Sequence, residues 1–317
     1  AIKWKKVPET WPRRDPVSGT GVPDAITVSG GVSIYGGDIA LNDDIDTQDG
    51  AADGDILLKA SGDITLAATK SITTDGGDVT LWSDSDNNAS GGIIINNNAV
   101  IDTRIATDKT NNAHTSGGGN IILAGGLDDG GVAAGTNDLF SNLVSGDGIP
   151  DGYAINIDTS NVNWISSGLF LGTPTGSSGQ NTNISLLSGG GDIRINGKTT
   201  GGNIGGNGST GVIIYEGVTI NAGETGNLDI IGVTNINSQS YASGIDLSAW
   251  RNNLAPTSFL TKDGDIKVIG IATGATRDNQ AIDAKNFDDD TRTTFAATGS
   301  GSITLESHGG DVNIGST

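Results

Sequence analysis

The sequence predicts an all-β protein: a right-handed parallel β-helix that forms one elongated domain with inserted loops. A phrase of the form Gly-Asp-Ile-x-Leu recurs along the chain, as in Gly62-Asp63-Ile64-Thr65-Leu66 and Gly77-Asp78-Val79-Thr80-Leu81. The runs between glycines alternate apolar and polar residues, and residues 25–126 show no helical apolar period. Strands this short suit a solenoid in which each coil adds one strand to each of two or three sheets.

The composition supports a narrow solenoid rather than a collagen, a disordered chain or a conventional globule. The chain has 317 residues with 51 Gly and only 7 Pro, and it has no G-X-Y period. Ile, Val and Leu recur at strand spacing, which argues against disorder. Aromatic residues make up only 4% of the chain, which a thin core of stacked aliphatic side chains tolerates. Without Cys there are no disulfides or thiolate metal sites.

The charge is strongly acidic, with 37 Asp and Glu against 17 Lys and Arg and a net charge of −20. Such a surface repels nucleic acid and anionic membranes, and it attracts divalent cations or basic partners. No apolar run approaches the roughly 18 residues of a transmembrane helix. We therefore expect neither a nucleic-acid partner nor membrane insertion.

Residues 1–24 differ from everything that follows and are predicted to form an extended arm. They hold four of the seven prolines, which favour extended backbone over a ladder strand. One interpretation is a linker or a cap over the first coil. The other is a self-assembly arm that docks on a neighbouring copy through its basic and aromatic residues. The residues proposed for this contact are Trp4, Lys5, Lys6, Trp11, Arg13 and Arg14.

Residues 25–317 are predicted to form the β-helix, and their first hundred residues are the most regular. The strand-like runs here are 25–28, 32–35, 38–41, 55–58, 63–67, 71–74, 78–82, 92–96, 99–103 and 120–124. Gly, Asn and Asp between them supply turn geometry. Residues 125–180 are less regular, and we interpret them as coils with an inserted loop. Within that region residues 136–144 could form one or two helical turns, and strands resume at 153–159 and 164–171.

The array continues to the last residues, with two further loops. Strand-like runs are 183–187, 192–196, 212–215, 218–221, 228–231, 245–247 and 265–271, followed by two final strands that end near residue 314. Residues 248–260 and 273–298 are expected to be loops. The body would then have about 12 coils and be about 60 Å long. Residues 311–314 have the pattern of mid-array sequence, so we expect either a continuing parent protein or a stacked second molecule.

These phrases, together with Ala99-Val100-Ile101-Asp102-Thr103 and the run from Ser71 to Gly77, resemble the repeat body of bacterial filamentous-haemagglutinin-like adhesins. The resemblance implies a secreted parallel β-helix that works in surface attachment and matrix building, without catalytic residues. It predicts an extracellular or cell-surface location, a structural or adhesive role and no enzymatic activity. Head-to-tail self-association and a glycan or cell-surface receptor are the expected partners.

A polysaccharide-binding or polysaccharide-cleaving β-helix is the alternative. Its best catalytic candidate is Asp288–Asp290 beside Arg292, but adjacent residues of a strand point to opposite faces, so the three carboxylates converge only if they lie in a loop. His114 and His308 are too far apart in sequence to suggest a zinc site or a catalytic triad. Four aromatic residues could either stack on sugars or cap coils of the core: Trp82, Tyr153, Trp164 and Trp250.

Calcium is the one cofactor that the acidic turns suggest. Asp84, Asp86 and Asn88 place oxygen-bearing side chains at alternate positions, as in the first residues of an EF-hand calcium loop. The Gly at the sixth position of such a loop and its closing Glu are missing. Asp147 and Asp151 lie in a turn that resembles part of the Asp-rich calcium repeats of extracellular proteins. A third cluster comprises Asn42, Asp43, Asp44, Asp46 and Asp49. The hypothesis is that at least one of these clusters binds calcium; the alternative is that the Asp-rich turns are simply solvated.

Overall fold

The computed structural model describes residues 25–27, 30–47, 54–140, 142–156, 166–172, 182–200, 209–235, 242–247, 256–273, 279–286 and 293–316, with the backbone alone at 25–27, 279, 285–286 and 313–316. The described residues wind into eight coils, each of which contributes one strand to each of three parallel sheets. The predicted all-β class and parallel β-helix are therefore confirmed. The predicted arm, residues 1–24, lies outside the described residues.

The strands are short and follow one another at regular intervals. Coil 1 contains β1 (Ala25–Thr27), β2 (Val32–Gly36) and β3 (Ile39–Leu41); coil 2, β4 (Asp44–Asp46), β5 (Ile56–Ala60) and β6 (Ile64–Leu66); coil 3, β7 (Ser71–Thr73), β8 (Val79–Ser83) and β9 (Ile93–Ile95); coil 4, β10 (Val100–Asp102), α1 (Ala106–Asn111), β11 (Ile121–Gly125), β12 (Ala154–Ile155) and β13 (Ser166–Leu171). Coil 5 contains β14 (Ser185–Leu187), β15 (Ile193–Thr199) and β16 (Ser209–Ile214); coil 6, β17 (Thr219–Asn221), β18 (Leu228–Asn235) and β19 (Ala242–Asp246); coil 7, β20 (Thr257–Thr261), β21 (Ile266–Thr273) and β22 (Asn279–Asn286); coil 8, β23 (Thr293–Ala297), β24 (Ile303–His308) and β25 (Asp311–Ser316).

The first, second and third strands of successive coils form sheets 1, 2 and 3. Their orders are β1-β4-β7-β10-β14-β17-β20-β23, β2-β5-β8-β11-β15-β18-β21-β24 and β3-β6-β9-β13-β16-β19-β22-β25, and β12 pairs with β15 beside sheet 2. All these pairings are parallel, and equivalent residues stack on one another. In sheet 1, for example, Ile45, Ile72 and Ile101 are aligned in consecutive coils and each is fully buried. One continuous apolar core therefore fills the coil interior.

The number of coils is smaller than the predicted 12. Coil 4 runs from Val100 to Leu171 because two excursions leave it, one containing α1 and one that follows β11. Neither the helix nor the size of these excursions was predicted. Eight coils at about 4.8 Å spacing give a rod about 35 Å long. Two further predictions were wrong: the stretch 248–260 contains the beginning of β20, and the stretch 273–298 contains β22 and β23.

The corner between sheets 1 and 2 explains the Gly-Asp phrases that precede the strands of sheet 2. The Asp or Asn of one coil accepts, through its side-chain oxygen, the backbone N–H of the equivalent residue in the next coil, at 2.6–2.9 Å. The column runs without a break through Asp55, Asp78, Asn120, Asp192, Asn227, Asp265 and Ser302. Each coil is thereby fastened to the next by a hydrogen bond additional to those of the sheets. At the corner between sheets 2 and 3, Asp38 and Asp63 make similar bonds to the next coil, at 3.0 and 2.7 Å.

The glycine of the phrases that precede the strands of sheet 2 is required because neighbouring coils touch there. A β-carbon at Gly119 would lie 2.3 Å from the carbonyl oxygen of Gly77, and one at Gly264 would lie 2.0 Å from that of Gly226. A column of buried hydroxyls accompanies these glycines. Thr74 and Thr103, for example, each donate to the carbonyl oxygen of the glycine in their own coil, at 2.6 Å. The phrase therefore encodes contacts between coils as well as the start of a strand.

Candidate functional site: the strap on sheet 2 and the acidic turns

Residues 126–153 of coil 4 form an excursion, here called the strap, that lies across the outer face of sheet 2. Trp82 Nε1 on β8 donates to the carbonyl oxygen of Gly126 at 2.7 Å, and Asn196 Nδ2 on β15 donates to that of Gly152 at 3.0 Å. Lys267 Nζ on β21 donates to the carbonyl oxygen of Leu139. The strap therefore spans the rod from coil 3 to coil 7. Residues 136–144 were predicted as one or two helical turns. In the structure the carbonyl oxygen of Thr136 accepts the N–H groups of Leu139 and Phe140, which closes a single turn, and residues 142–144 have no regular structure.

Apolar contacts hold the strap in place. Ile231 and Ile269 point outward from β18 and β21, yet both are 0% exposed because Phe140 and Tyr153 pack over them. These residues form a second hydrophobic cluster, separate from the core of the coils. Burial of this much apolar surface makes the strap part of the folded rod, not a free loop.

Cations on the outer face of sheet 2 pack against aromatic rings around the strap. Lys59 Nζ lies 3.2 Å from the centroid of Trp82, and the Arg194 guanidinium lies 5.5 Å from that of Phe140. Burial lowers the pKa of Lys59, an effect that nearby Asp128 opposes. Trp82 and Tyr153 are only 5% and 4% exposed, so neither ring is open to stack on a sugar.

The strap itself is acidic, with five Asp and no Lys, Arg or His in residues 126–153. The two carboxylate oxygens of Asp128 accept the backbone N–H groups of Gly146, Asp147 and Gly148. Asp151 is 1% exposed; its Oδ2 accepts the N–H of Gly130 at 2.7 Å, whereas its Oδ1 is buried without a hydrogen-bond partner. Burial, reinforced by Asp128 and Asp147, raises the pKa of Asp151. The turn predicted to bind calcium thus directs its N–H groups at a carboxylate of the same chain.

The other predicted calcium loop, which contains Asp84, Asp86 and Asn88, lies at the corner after β8. Asp84 is 0% exposed, has a positive φ of 46°, and accepts the N–H of Ser90 at 3.3 Å through Oδ1. Its Oδ2 is buried without a partner, and burial raises its pKa to about 6. Asp86 and Asn88 are exposed and hydrogen-bond to each other at 3.0 Å.

The third acidic cluster is partly a strand. Asp44 and Asp46 belong to β4, and Asp44 Oδ1 accepts both the N–H and the hydroxyl of Ser71 in the next coil, at 2.6 and 2.9 Å. Asp43 forms an ion pair with Lys70 at 3.4 Å. In the part of the chain that the structure describes, no group of three or more His, Cys, Asp or Glu side chains is arranged to hold a metal ion. Calcium binding at the five assigned residues stays a prediction.

One charged cluster was not anticipated from the sequence. Arg104, which follows β10, is 6% exposed and donates through Nε and Nη2 to the two oxygens of Asp102, at 3.0 and 2.8 Å. His114 lies nearby, and burial together with the Arg104 charge lowers its pKa. Asp108 of α1 accepts the N–H and hydroxyl of Thr115. Arg104 Nη1 also donates to the carbonyl oxygen of Ala113 at 3.1 Å, so Arg104 connects the excursion that carries α1 to Asp102 of sheet 1.

The remaining predicted site residues lie outside the described residues. These are the self-assembly residues of the arm, the Asp288–Asp290 run with Arg292, and Trp164 and Trp250. His308 is described, and its Nε2 lies 2.6 Å from Glu306 Oε1 at the end of β24.

The fold defines this chain as a parallel β-helix protein. Comparison with known proteins finds no matching family model, no matching curated protein and no matching solved structure. None of the helices in the described part of the chain combines the length and apolar character needed to cross a membrane.

Proposed function

We propose that this chain is an extracellular structural and adhesive protein, a rod that serves as a filament subunit or as the stalk of an adhesin in bacterial surface attachment or matrix. The observation that carries the proposal is the Asp/Asn column at the corner between sheets 1 and 2. It links consecutive coils from Asp55 in coil 2 to Ser302 in coil 8. A feature repeated in every coil serves the whole length of the rod, whereas a catalytic site needs convergent groups at one place.

This arrangement should make the rod resistant to local unfolding and to proteolysis. Local opening of any inner coil would break sheet hydrogen bonds above and below it together with the column bonds, and such openings are the events that proteases exploit. The acidic surface keeps the rod soluble. The resemblance of the Gly-Asp phrases to filamentous-haemagglutinin-like adhesins points in the same direction, and the proposal includes secretion and the absence of enzymatic activity.

Electron microscopy of the purified chain over a concentration series, beside a chain without residues 1–24, tests the proposal. Filaments from the complete chain but not from the truncated one would identify a fibre subunit joined through the arm. Isolated short rods from both would favour an adhesin stalk. Globular particles, or rapid digestion of the rod by a non-specific protease, would contradict the proposal.

Polysaccharide binding is the second candidate. Because the rings of Trp82 and Tyr153 are buried, this candidate depends on the other two aromatic residues named from the sequence, Trp164 and Trp250. The variants Trp164→Ala and Trp250→Ala should lower glycan binding at an unchanged melting temperature if this role is real. Unchanged binding in both variants would count against it.

A further inference from the structure

We propose that the strap of one copy is the docking surface for the N-terminal arm, residues 1–24, of a second copy. This inference rests on the proposed function, because it names the joint of the filament. It is argued from three properties of the strap: its charge, its exposed apolar side chains and its position on the rod.

The charges of the two segments are complementary. The arm contains Lys3, Lys5, Lys6, Arg13 and Arg14 against Glu9, Asp15 and Asp24, which gives 5 − 3 = +2, so the rest of the chain carries −20 − 2 = −22. The strap contributes five negative charges and no positive one. Lys59, Arg194, Lys198 and Lys267 of sheet 2 lie beside the strap and offset part of this charge. Asp138 and Asp147 of the strap are exposed to solvent. A basic segment is the partner that such a surface attracts.

The strap also presents apolar side chains to solvent. Leu127, Val132 and Val144 are 38%, 71% and 54% exposed. The other exposed large apolar side chains in the described ranges are one in coil 1 and two in coil 8, so the strap alone carries such residues at the middle of the rod. The segments that carry Val132 and Val144 lie close together. Their neighbours Gly131 and Leu143 show this, since a β-carbon added at Gly131 would lie 2.6 Å from Leu143 Cδ1. An apolar patch with an acidic border suits a basic segment that contains tryptophan.

The arm and the strap belong to different parts of the rod. The arm precedes β1 in coil 1 of sheet 1, whereas the strap lies on the outer face of sheet 2 between coils 3 and 7. A contact between the arm of one copy and the strap of the next joins two different surfaces. Such a heterologous contact forms a ring if its rotation closes and a fibre if it does not, and the filament role requires the open form.

Cross-linking tests the contact directly. The complete chain is prepared with a photoreactive benzoylphenylalanine at Trp11, in unlabelled and in ¹⁵N-labelled form, and the two are mixed, irradiated and analysed by mass spectrometry. We expect links between light and heavy chains that map to residues 127–151. Links only within one copy, or links to another surface, would overturn the inference.

Two variants with a matched control test the energetics. Asp138→Lys reverses an exposed charge within the strap, and Asp86→Lys makes the same change on an exposed loop outside it. We expect Asp138→Lys to weaken self-association, measured by sedimentation, about tenfold, and Asp86→Lys to change it less than about twofold. The combined Val132→Ser and Val144→Ser variant should weaken it similarly, without a change in melting temperature.

The outcomes separate the inference from the proposed function. Filaments that form equally well with both strap variants would place the joint elsewhere and overturn the inference, while the filament role would stand. A complete chain that stays monomeric at every concentration would overturn both the inference and the filament form of the function.

Discussion

Thr261 donates its hydroxyl to the carbonyl oxygen of Gly226 in the preceding coil, at 2.8 Å. In coils 2 to 5 the equivalent hydroxyl bonds to the glycine of its own coil. Coil 6 has Ala222 at this position, so it lacks the hydroxyl that would serve Gly226. Thr261 therefore supplies, from coil 7, the hydroxyl that coil 6 lacks for Gly226.

Replacement of Thr261 by Val should destabilise the rod by about 1–2 kcal/mol, because a buried carbonyl loses its partner. Urea unfolding followed by circular dichroism measures the loss. A second change, Ala222→Ser, should recover part of it by supplying a hydroxyl from coil 6. Equal unfolding midpoints for the wild type and Thr261→Val would contradict the role of the hydroxyl.

Replacement of Gly119 by Ala should be far more costly than the same change at Gly37. The methyl group added at Gly119 would lie 2.3 Å from a backbone oxygen, whereas a methyl group added at Gly37 would have no atom within 4 Å. We expect a loss of about 3 kcal/mol or more at Gly119 and under about 0.5 kcal/mol at Gly37, measured as unfolding free energies. Similar values for the two variants would refute close coil contact at this corner.

The pH dependence of stability should change when Asp84 becomes Asn. Burial raises the pKa of Asp84 to about 6, so the folded state binds its proton more tightly than the unfolded state does. The free energy of unfolding of the wild type should therefore fall by on the order of 1–3 kcal/mol, through Asp84, as the pH rises from about 4 to about 6. In Asp84→Asn this pH-dependent loss of stability should disappear, whereas the exposed control variant Asp86→Asn should still show it. Thermal unfolding at closely spaced pH values makes the comparison.

Replacement of Phe140 by Ala should release the strap before the coils unfold. The variant uncovers Ile231 and Ile269 and removes the ring beside Arg194, at a cost of about 3 kcal/mol. Hydrogen exchange should rise in residues 126–153, with little change in β18 and β21. Val132→Ala, at a side chain that is 71% exposed, is the control and should behave as the wild type. Uniform exchange over the whole chain would mean that strap and coils unfold together.

Calcium should bind with saturation below the millimolar range if the acidic turns hold it. Calorimetric titration of the complete chain measures this, with Asp147→Asn and Asp84→Asn tested separately to locate the site. Each variant removes a charge without changing the size of the side chain. A titration without saturable heat would remove the calcium prediction for both turns.

The sequence predicted the fold because its strands repeat a pattern with a physical cause. The Gly-Asp phrase requires a glycine for close coil contact and a short polar side chain for the column. β4 was missed because Asp44 and Asp46 flank a single inward residue, Ile45, and three residues carry too little alternation to predict a strand. β22 and β23 were missed because turn-forming residues surround them.

The strap was predicted only as an inserted loop, because its contacts join residues up to 128 positions apart, as between Lys267 and Leu139. A signal for its location was present nonetheless. In Ile230-Ile231 and Val268-Ile269 two consecutive residues of a strand are apolar, which indicates a sheet covered on both faces. The charged cluster around Arg104 offered no comparable pattern.

The Asp/Asn column also gives the rod a direction. Every Asp and Asn side chain in it accepts from the coil that follows, so a partly wound chain displays unused acceptors on its C-terminal side and backbone donors on its N-terminal side. A newly arriving coil on the C-terminal side meets a template whose oxygens are already in position. Winding in that sense follows the order in which a chain leaves a ribosome, so each turn can be captured as it emerges.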